Sequence, residues 1–384
     1  MSIFKKTIDF IINCRCVLLR YNPIRHECGL LAIGNPSPDS PVFVSGNYFH
    51  SVKRLIAALR SINCYLLVAD SAGINIWCAS GVCDFNEHKI ADAVNATGLH
   101  AKVYHRKLIL PQLSAAGVNL SALEKECGFT GVFGPADFND IKSYVNKGYC
   151  ADEDMRAVRF SFADRFYNAF GMHAVFLLPV IVLKLILPKK YGREIHFLLL
   201  MNFINIFGNF MLYEKLPFKY PANNSLLIGA VIQAAIFSYS LFRYFFMTPL
   251  KFTLFLFYGA SAFIINFLVS IDMLGSTPFY KTTIAHWLKT FNNKSLFQPL
   301  ILPEACCGCL CCTQVCPKNL FSEAGGRIVI DYRRECCECL ACIKQCPSRA
   351  IVNKNGALYK DDIKSIENIE EIMKPKNDAQ RGRL

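Results

Sequence analysis

Acidic residues are scarce in this 384-residue chain: 29 Asp and Glu stand against 42 Lys and Arg, a formal charge of +13. Such a balance can signal nucleic acid, but the basic residues are dispersed and no nucleic-acid module is visible, so that partner is not expected. No Gly-x-Gly-x-x-Gly run occurs, so a dinucleotide is not implied. Lys5, Lys6, Asp9, Arg15 and Arg20 interrupt every N-terminal apolar stretch, so a cleavable signal peptide is not expected. Tryptophan is rare, with two in all. The polar residues form no convincing catalytic dyad, which leaves the hard chemistry to a cofactor. What the chain does have is apolar surface and thiols. Hydrophobic residues make up 53%, with 31 phenylalanines, and point to membrane segments with basic flanks. The 19 cysteines require a reducing compartment.

Eight of these cysteines fall into two copies of one pattern. Cys306, Cys309, Cys312 and Cys316 precede Pro317, and Cys336, Cys339, Cys342 and Cys346 precede Pro347. This is the C-x2-C-x2-C-x3-C-P spacing of bacterial two-cluster ferredoxins, in which the fourth cysteine ligates the other cluster. One [4Fe-4S] cluster is therefore expected on Cys306, Cys309, Cys312 and Cys346, and another on Cys336, Cys339, Cys342 and Cys316. A pair of zinc knuckles is the alternative, although zinc ligands usually come two by two and further apart.

At this length two or three domains are expected, and the fold class is multidomain. Residues 1–150 read as an α/β Rossmann-like domain. Strands are expected at Pro41–Val44, Cys64–Ala69, Ile74–Trp77, Ala101–Tyr104 and Phe129–Phe133. Helices are expected at Ser51–Ser61, Glu87–Asn95 and Asp137–Asn146. Residues 151–290 open with a charged linker, Asp152–Arg165, and continue as a transmembrane α-helical domain. Four spans are expected: Met172–Leu187, with Lys184 snorkelling, His196–Leu212, Ser225–Phe246 and Phe252–Ile271. A soluble bundle would need a charged outer face that these stretches lack. Loop charges leave the orientation open, but an even number of spans returns both flanking domains to one side. Asn202, Asn205 and Asn209 share one helical face, for interhelical hydrogen bonding or a polar ligand patch. Residues 291–384 read as an α+β two-[4Fe-4S] ferredoxin domain with a C-terminal amphipathic helix over Asp361–Met373.

The run Asn75, Ile76, Trp77, Cys78, Ala79, Ser80, Gly81 follows a buried-looking strand. Cys78 alone would read as a structural thiol, since free cysteine is among the most buried residue types. Its place at a strand's end, the rare Trp77 beside it and a ferredoxin that needs something to reduce point the other way. This run resembles the cap-helix signature of the mercury-methylating corrinoid family, which is related to the corrinoid iron–sulfur protein of acetyl-CoA synthesis. The likeness extends through Gly34–Val42, His105–Gln112 and Gly134-Pro135 into the apolar spans, and residues 291–352 resemble that family's ferredoxin partner.

The resemblance implies a corrinoid (cobalamin-type) cofactor with Cys78 as lower axial ligand to cobalt, and a membrane-bound methyltransferase acting on Hg(II). Corrinoid contacts would come from Asn75–Gly81, His105 and Arg106. It further implies a methyl-donating corrinoid or folate methyltransferase system, a low-potential electron donor and membrane lipid as partners. The place is the cytoplasmic membrane, with both soluble domains facing the cytoplasm. No Asp-x-His-x-x-Gly run offers a competing histidine ligand. Departures from the family are Val82 where a lysine is usual, then Cys83, and a tail from Asn353 without cysteine. Soft-metal delivery would then fall to Cys307, Cys311 or Cys337, which are otherwise read as packing residues. A corrinoid methyl carrier for another acceptor, or a membrane ferredoxin-type protein without corrinoid, are the rivals.

Overall fold

The computed structural model describes residues 15, 23–81, 84–159, 161–212, 215–216, 221–246, 252–272 and 297–354. Val82, Cys83 and the helix expected over Asp361–Met373 lie outside these residues. The chain divides into two compact units: one holds the described residues of Pro23–Arg159 and Ser295–Leu384, the other those of Met1–Asn22 and Phe160–Lys294.

The first unit opens with β1 (Gly29–Ile33), β2 (Val42–Gly46), α1 (Phe49–Leu59), β3 (Cys64–Ala69), α2 (Ile76–Gly81), α3 (Glu87–Ala96), β4 (Lys107–Leu110), α4 (Leu120–Cys127), β5 (Thr130–Phe133) and α5 (Ile141–Asn146). The sheet order is β1-β3-β2-β4-β5, with β1 antiparallel and the others parallel. Strand alternation loads both faces. Val42, Val44, Leu67, Ala69, Leu108 and Leu110 pack under α3 and α4, with Ile90, Val94 and Leu123. Phe43, Leu66, Val68 and Ile109 pack under α1 and α5, with Val52, Leu55 and Tyr144. Burial pushes the Tyr144 hydroxyl and the Cys64 thiol up to about 12, as expected of core groups without chemistry.

Two expected strands are not strands. After Ala69 the backbone turns through Ala72 (φ 56°) and Gly73 (φ 77°), and Ile76 and Trp77 belong to α2. Its apolar residues are too few to separate strand from helix by period. Ala101–Tyr104 is turn, ending a 3-10 turn entered through left-handed Gly98 (φ 61°), and the strand begins later, at Lys107.

The second unit contains α6 (Phe162–Ile186), α7 (Gly192–Leu212), α8 (Pro221–Phe246) and α9 (Phe252–Asp272). The first helix starts ten residues before the expected span, because Ser161 and Asp164 close a reciprocal capping box inside the supposed linker. Its 25 residues extend roughly 38 Å at 1.5 Å per residue. By length and composition, Phe162–Ile186 and Ile195–Leu212 could cross a membrane. Phe162, Leu185, Val231, Phe245 and Phe263 are each more than 60% exposed, a surface that water would penalise. Asn202, Asn205 and Asn209 are fully buried on α7. Asn205 and Asn209 donate back to Met201 and Asn205 carbonyls of their own helix, and only Asn202 reaches across, to the His173 carbonyl at 3.4 Å. Interhelical bonding is thus seen for one of the three.

Returning to the first unit, β6 (Pro299–Ile301), α10 (Cys311–Val315), β7 (Phe321–Ala324), β8 (Arg327–Ile330), α11 (Ala341–Lys344) and β9 (Ile351–Asn353) form the cysteine-rich domain. Its two ribbons, β6-β9 and β7-β8, enclose a small core around Phe297, Leu320, Phe321, Leu340 and Ile343.

Candidate functional site

A cleft of about 180 Å3 opens at the edge where the parallel strands end, lined by Phe43–Ser45, Leu55, Asn75–Trp77, Ile109–Pro111 and Gly134–Phe138. It lies between β2 and β4, whose following helices, α1 and α4, pack on opposite faces of the sheet. Such a switch point leaves a crevice because neighbouring connections diverge.

The cysteine expected to act follows the lining residues Asn75–Trp77 in the chain and is not itself one of them. Ala79 and Ser80 turn α2 toward the core, while Trp77 is 45% exposed and Cys78 is half-buried on the outward side. Asn75 caps the helix, its Oδ1 accepting from the Cys78 amide at 3.0 Å. The supporting loop is held by Asn47, whose Oδ1 accepts from the Ser71 and Gly73 amides at 2.9 Å and whose Nδ2 donates to Asp70 at 3.0 Å. Burial raises the Asp70 carboxyl, but the Ala72 amide, Lys89 and Asn47 together hold it below the usual range. On the other side, Gly117 allows the chain to pass against Ser80; an added Cβ would stand 2.7 Å from the serine Cβ. Gly117→Ala is therefore expected to cost about 1–3 kcal/mol by overpacking, read as a lower denaturant midpoint. An unchanged midpoint would mean that α2 yields freely.

The structure brings Asn75, Ile76 and Trp77 to the cleft and Cys78 beside it. His105 and Arg106 are a correction: they precede β4 and so stand at the opposite edge of the sheet. Both are also engaged there. His105 Nδ1 accepts from the Lys107 amide at 3.2 Å, so Nε2 donates to the Ser40 carbonyl at 2.9 Å. Arg106 donates to the Val103 carbonyl at 2.8 Å and lies over the Phe129 ring. Their role is to close a loop. Gly34–Val42 also enters β2 from that edge. The resemblance matched a scaffold there, not a cofactor contact.

Residues 20–145 match the family model described as CO dehydrogenase/acetyl-CoA synthase delta subunit. The chain is also similar to the acetyl-CoA decarbonylase/synthase complex subunit gamma of Archaeoglobus fulgidus, 30% identical over 38% of this chain and 32% of the relative. The same subunit of Methanocaldococcus jannaschii is 29% identical over 32% and 25%. Subunit gamma 1 of Methanosarcina thermophila is 32% identical over 33% and 28%. The matches thus span about a third of this chain and no more than a third of those relatives. The family model is named for a delta subunit and the relatives for a gamma subunit, so the common ground is a component of acetyl-CoA metabolism. The matched segment holds β1 to α5, the cleft and Cys78.

The second set of candidate ligands is grouped by the fold. Cys306, Cys309, Cys312 and Cys346 line one small cavity of about 20 Å3, together with Cys307, Cys311, Ile301, Ile328 and Ile351. The fourth cysteine of the second motif thus joins the first three of the first. Burial pushes the Cys312 thiol up to about 12, with Cys346 and Cys306 beside it. Burial likewise raises Cys342, with Cys336 and Cys316 as neighbours. Left-handed residues recur at matching places: Gly308 and Glu338, Leu310 and Leu340, Asn319 and Arg349. These turns aim backbone amides at sulfur. The Ala350 amide donates to Cys346 Sγ at 3.2 Å and the Glu338 amide to Cys336 Sγ at 3.3 Å.

Neutral thiols crowded this way fit a metal that expels their protons and takes their charge. Among the described residues no three metal-binding side chains converge at the distances of a single ion. Cys307 and Cys337 are exposed, a correction to their reading as packing residues, while Cys311 is half-buried. Each follows its motif's first cysteine, where the loop bulges outward.

Proposed function

We propose that this chain is a membrane-anchored, corrinoid-dependent methyltransferase carrying its own two-cluster ferredoxin domain, with Hg(II) or a similar soft metal ion as acceptor. One observation carries the reading: Asn75–Trp77, which lead directly into the half-buried Cys78, line a cleft at the strand ends, in the same compact unit as the grouped cysteines. When bound, the corrinoid would supply a cobalt centre able to take up a methyl group and release it.

Cys78 would hold the cobalt through Sγ, a soft, electron-rich donor and so a strong lever on a macrocyclic metal. Asn75 keeps the thiol on the first turn of α2. Phe43, Leu55, Ile109 and Phe138 give the cleft apolar walls that exclude water. Cys306, Cys309, Cys312 and Cys346 would hold one [4Fe-4S] cluster, and Cys316, Cys336, Cys339 and Cys342 the other. The exposed Cys307 and Cys337 would stand in for the missing tail thiols in handing over a soft ion. Two helices long and apolar enough to cross a membrane, Phe162–Ile186 and Ile195–Leu212, support a membrane anchor. Because the α/β and cysteine-rich domains share one unit, an even number of spans suits the chain.

The relatives' names favour a second acceptor, one within an acetyl-CoA-forming assembly. To separate the two, protein extracted from the membrane pellet is reconstituted anaerobically with iron, sulfide and methylcobalamin, then given Hg(II). Methylmercury above the background of free methylcobalamin is expected. Cobalamin uptake without methylmercury would leave the second acceptor, and no uptake would sink both. Recovery of the chain in the soluble fraction would remove the membrane anchor from the proposal.

A further inference from the structure

One segment, Gln112–Asn119, touches both candidate centres. It leaves β4 at the cleft edge, and Gly117 lies against Ser80 of the helix that carries Cys78. Its other side is fastened to the cysteine-rich domain by two buried glutamines working in opposite directions. Gln112 Nε2 donates to the Val315 carbonyl at 3.0 Å, next to Cys316. Gln345 Nε2 donates to the Ala115 and Val118 carbonyls at 2.8 and 2.6 Å, and its Oε1 accepts from the Leu120 amide at 3.4 Å. Around them Asn119 Nδ2 donates to the Lys344 carbonyl at 3.0 Å, and Glu87 joins the Asn119 amide at 2.9 Å to the Lys344 ammonium at 3.4 Å. Ala115, Val315 and Ala341 form the dry centre, with Phe133 and Cys339 packed against it.

The seam treats the two cysteine sets differently. Cys316 follows the clasped Val315 and Cys346 follows the clasped Gln345, but it is Cys339 that packs against the seam cluster of Ala115, Val315 and Ala341. The cavity of Cys306, Cys309, Cys312 and Cys346 is lined by residues of the cysteine-rich domain alone. Buried glutamines at a seam have a strong directional effect, because each orphaned amide or carbonyl would lose its partner without gaining water.

We propose that Gln112 and Gln345 are positioning residues that clasp the two domains, so that the Cys316, Cys336, Cys339 and Cys342 set is the one held against the cleft side. This rests on the function proposed above for its purpose: a one-electron transfer moves no atoms, so proximity selects the set from which an electron leaves. The electron is replaced by a low-potential one-electron donor.

The clasp is tested without corrinoid, on full-length protein in detergent with its iron content checked. In Gln345→Ala, amide exchange over residues 115–120 is expected to speed up by about tenfold or more, while β2 and β3 keep their protection. Gln112→Ala, on the opposite side of the seam, is expected to do the same. Unchanged exchange in Gln112→Ala with iron retained would overturn the clasp.

The assignment of the set is then read in cobalamin-loaded protein from the microwave-power saturation of the Co(II) resonance with the iron centres reduced. Cys339→Ala is expected to remove the relaxation enhancement and Cys309→Ala to leave most of it. The reverse pattern would overturn the assignment. Failure to take up cobalamin would sink the proposed function, and the exchange result would still decide the clasp.

Discussion

Cys78→Ala protein is expected to retain all of its iron and lose more than about a hundredfold in methyl transfer. Supporting residues around a metal ligand are typically worth 10–100-fold, and the ligand itself is worth at least that. Alanine suits the test because it keeps the cap and the buried residues of α2. Its buried residues are Ala79 and Ser80, and its cap is the Asn75 side chain bonded to the Cys78 amide, which alanine keeps. Stability should therefore move by less than the ordinary mutational spread of about 1 kcal/mol. The sharper readout is the absorption spectrum of the bound corrinoid, which should lose its cobalt–thiolate character. An unchanged spectrum would show that the thiol is not the ligand, whatever the rate.

The second large effect concerns which cysteines act together. With each cluster drawing its fourth ligand from the other motif, Cys346→Ala should remove about half of the iron, and so should Cys306→Ala. The double variant Cys306→Ala/Cys346→Ala should lose no more than either single change, because both strike the same centre. Cys336→Ala/Cys346→Ala should lose nearly all of it. Non-additivity of this kind reports shared partners directly. The cavity that gathers Cys306, Cys309, Cys312 and Cys346 motivates the expectation. If instead Cys336 and Cys346 proved to be the non-additive pair, each motif would hold its own centre, and the grouping of sulfurs seen here would not survive metal binding.

Some of the architecture was legible from local pattern. Short apolar runs placed β2, β3 and β5, and the cysteine spacing is the ground for expecting an exchange of fourth ligands between motifs. The long apolar runs marked all four helices, though not the start of α6, which depends on a capping pair hidden in a charged stretch. The segments misread as strands failed for a shared reason. Ile74–Trp77 and Ala101–Tyr104 are short and apolar, and what bends them is a left-handed residue nearby, Gly73 or Gly98, whose effect has no periodic signature. His105 and Arg106 were misplaced for another reason. Likeness in sequence does not say which edge of a sheet a loop occupies.

The sequence by itself determined the chemistry on offer: soft thiolate ligands at spacings that suit iron–sulfur cubes, a cysteine in a distinctive short run, and long apolar stretches that form helices. Those are properties of residue type and interval, and they hold before the chain folds. Only the tertiary structure decided what meets what. It set Cys78 beside a cleft formed where β2 and β4 send their connections to opposite faces, and it removed His105 to the far edge. It also joined Gln112 to Val315 and Gln345 to Ala115, pairs separated by more than two hundred positions. Hydrogen bonds and packing over such separations depend on how the sheet and its loops close in space, and no local interval encodes that.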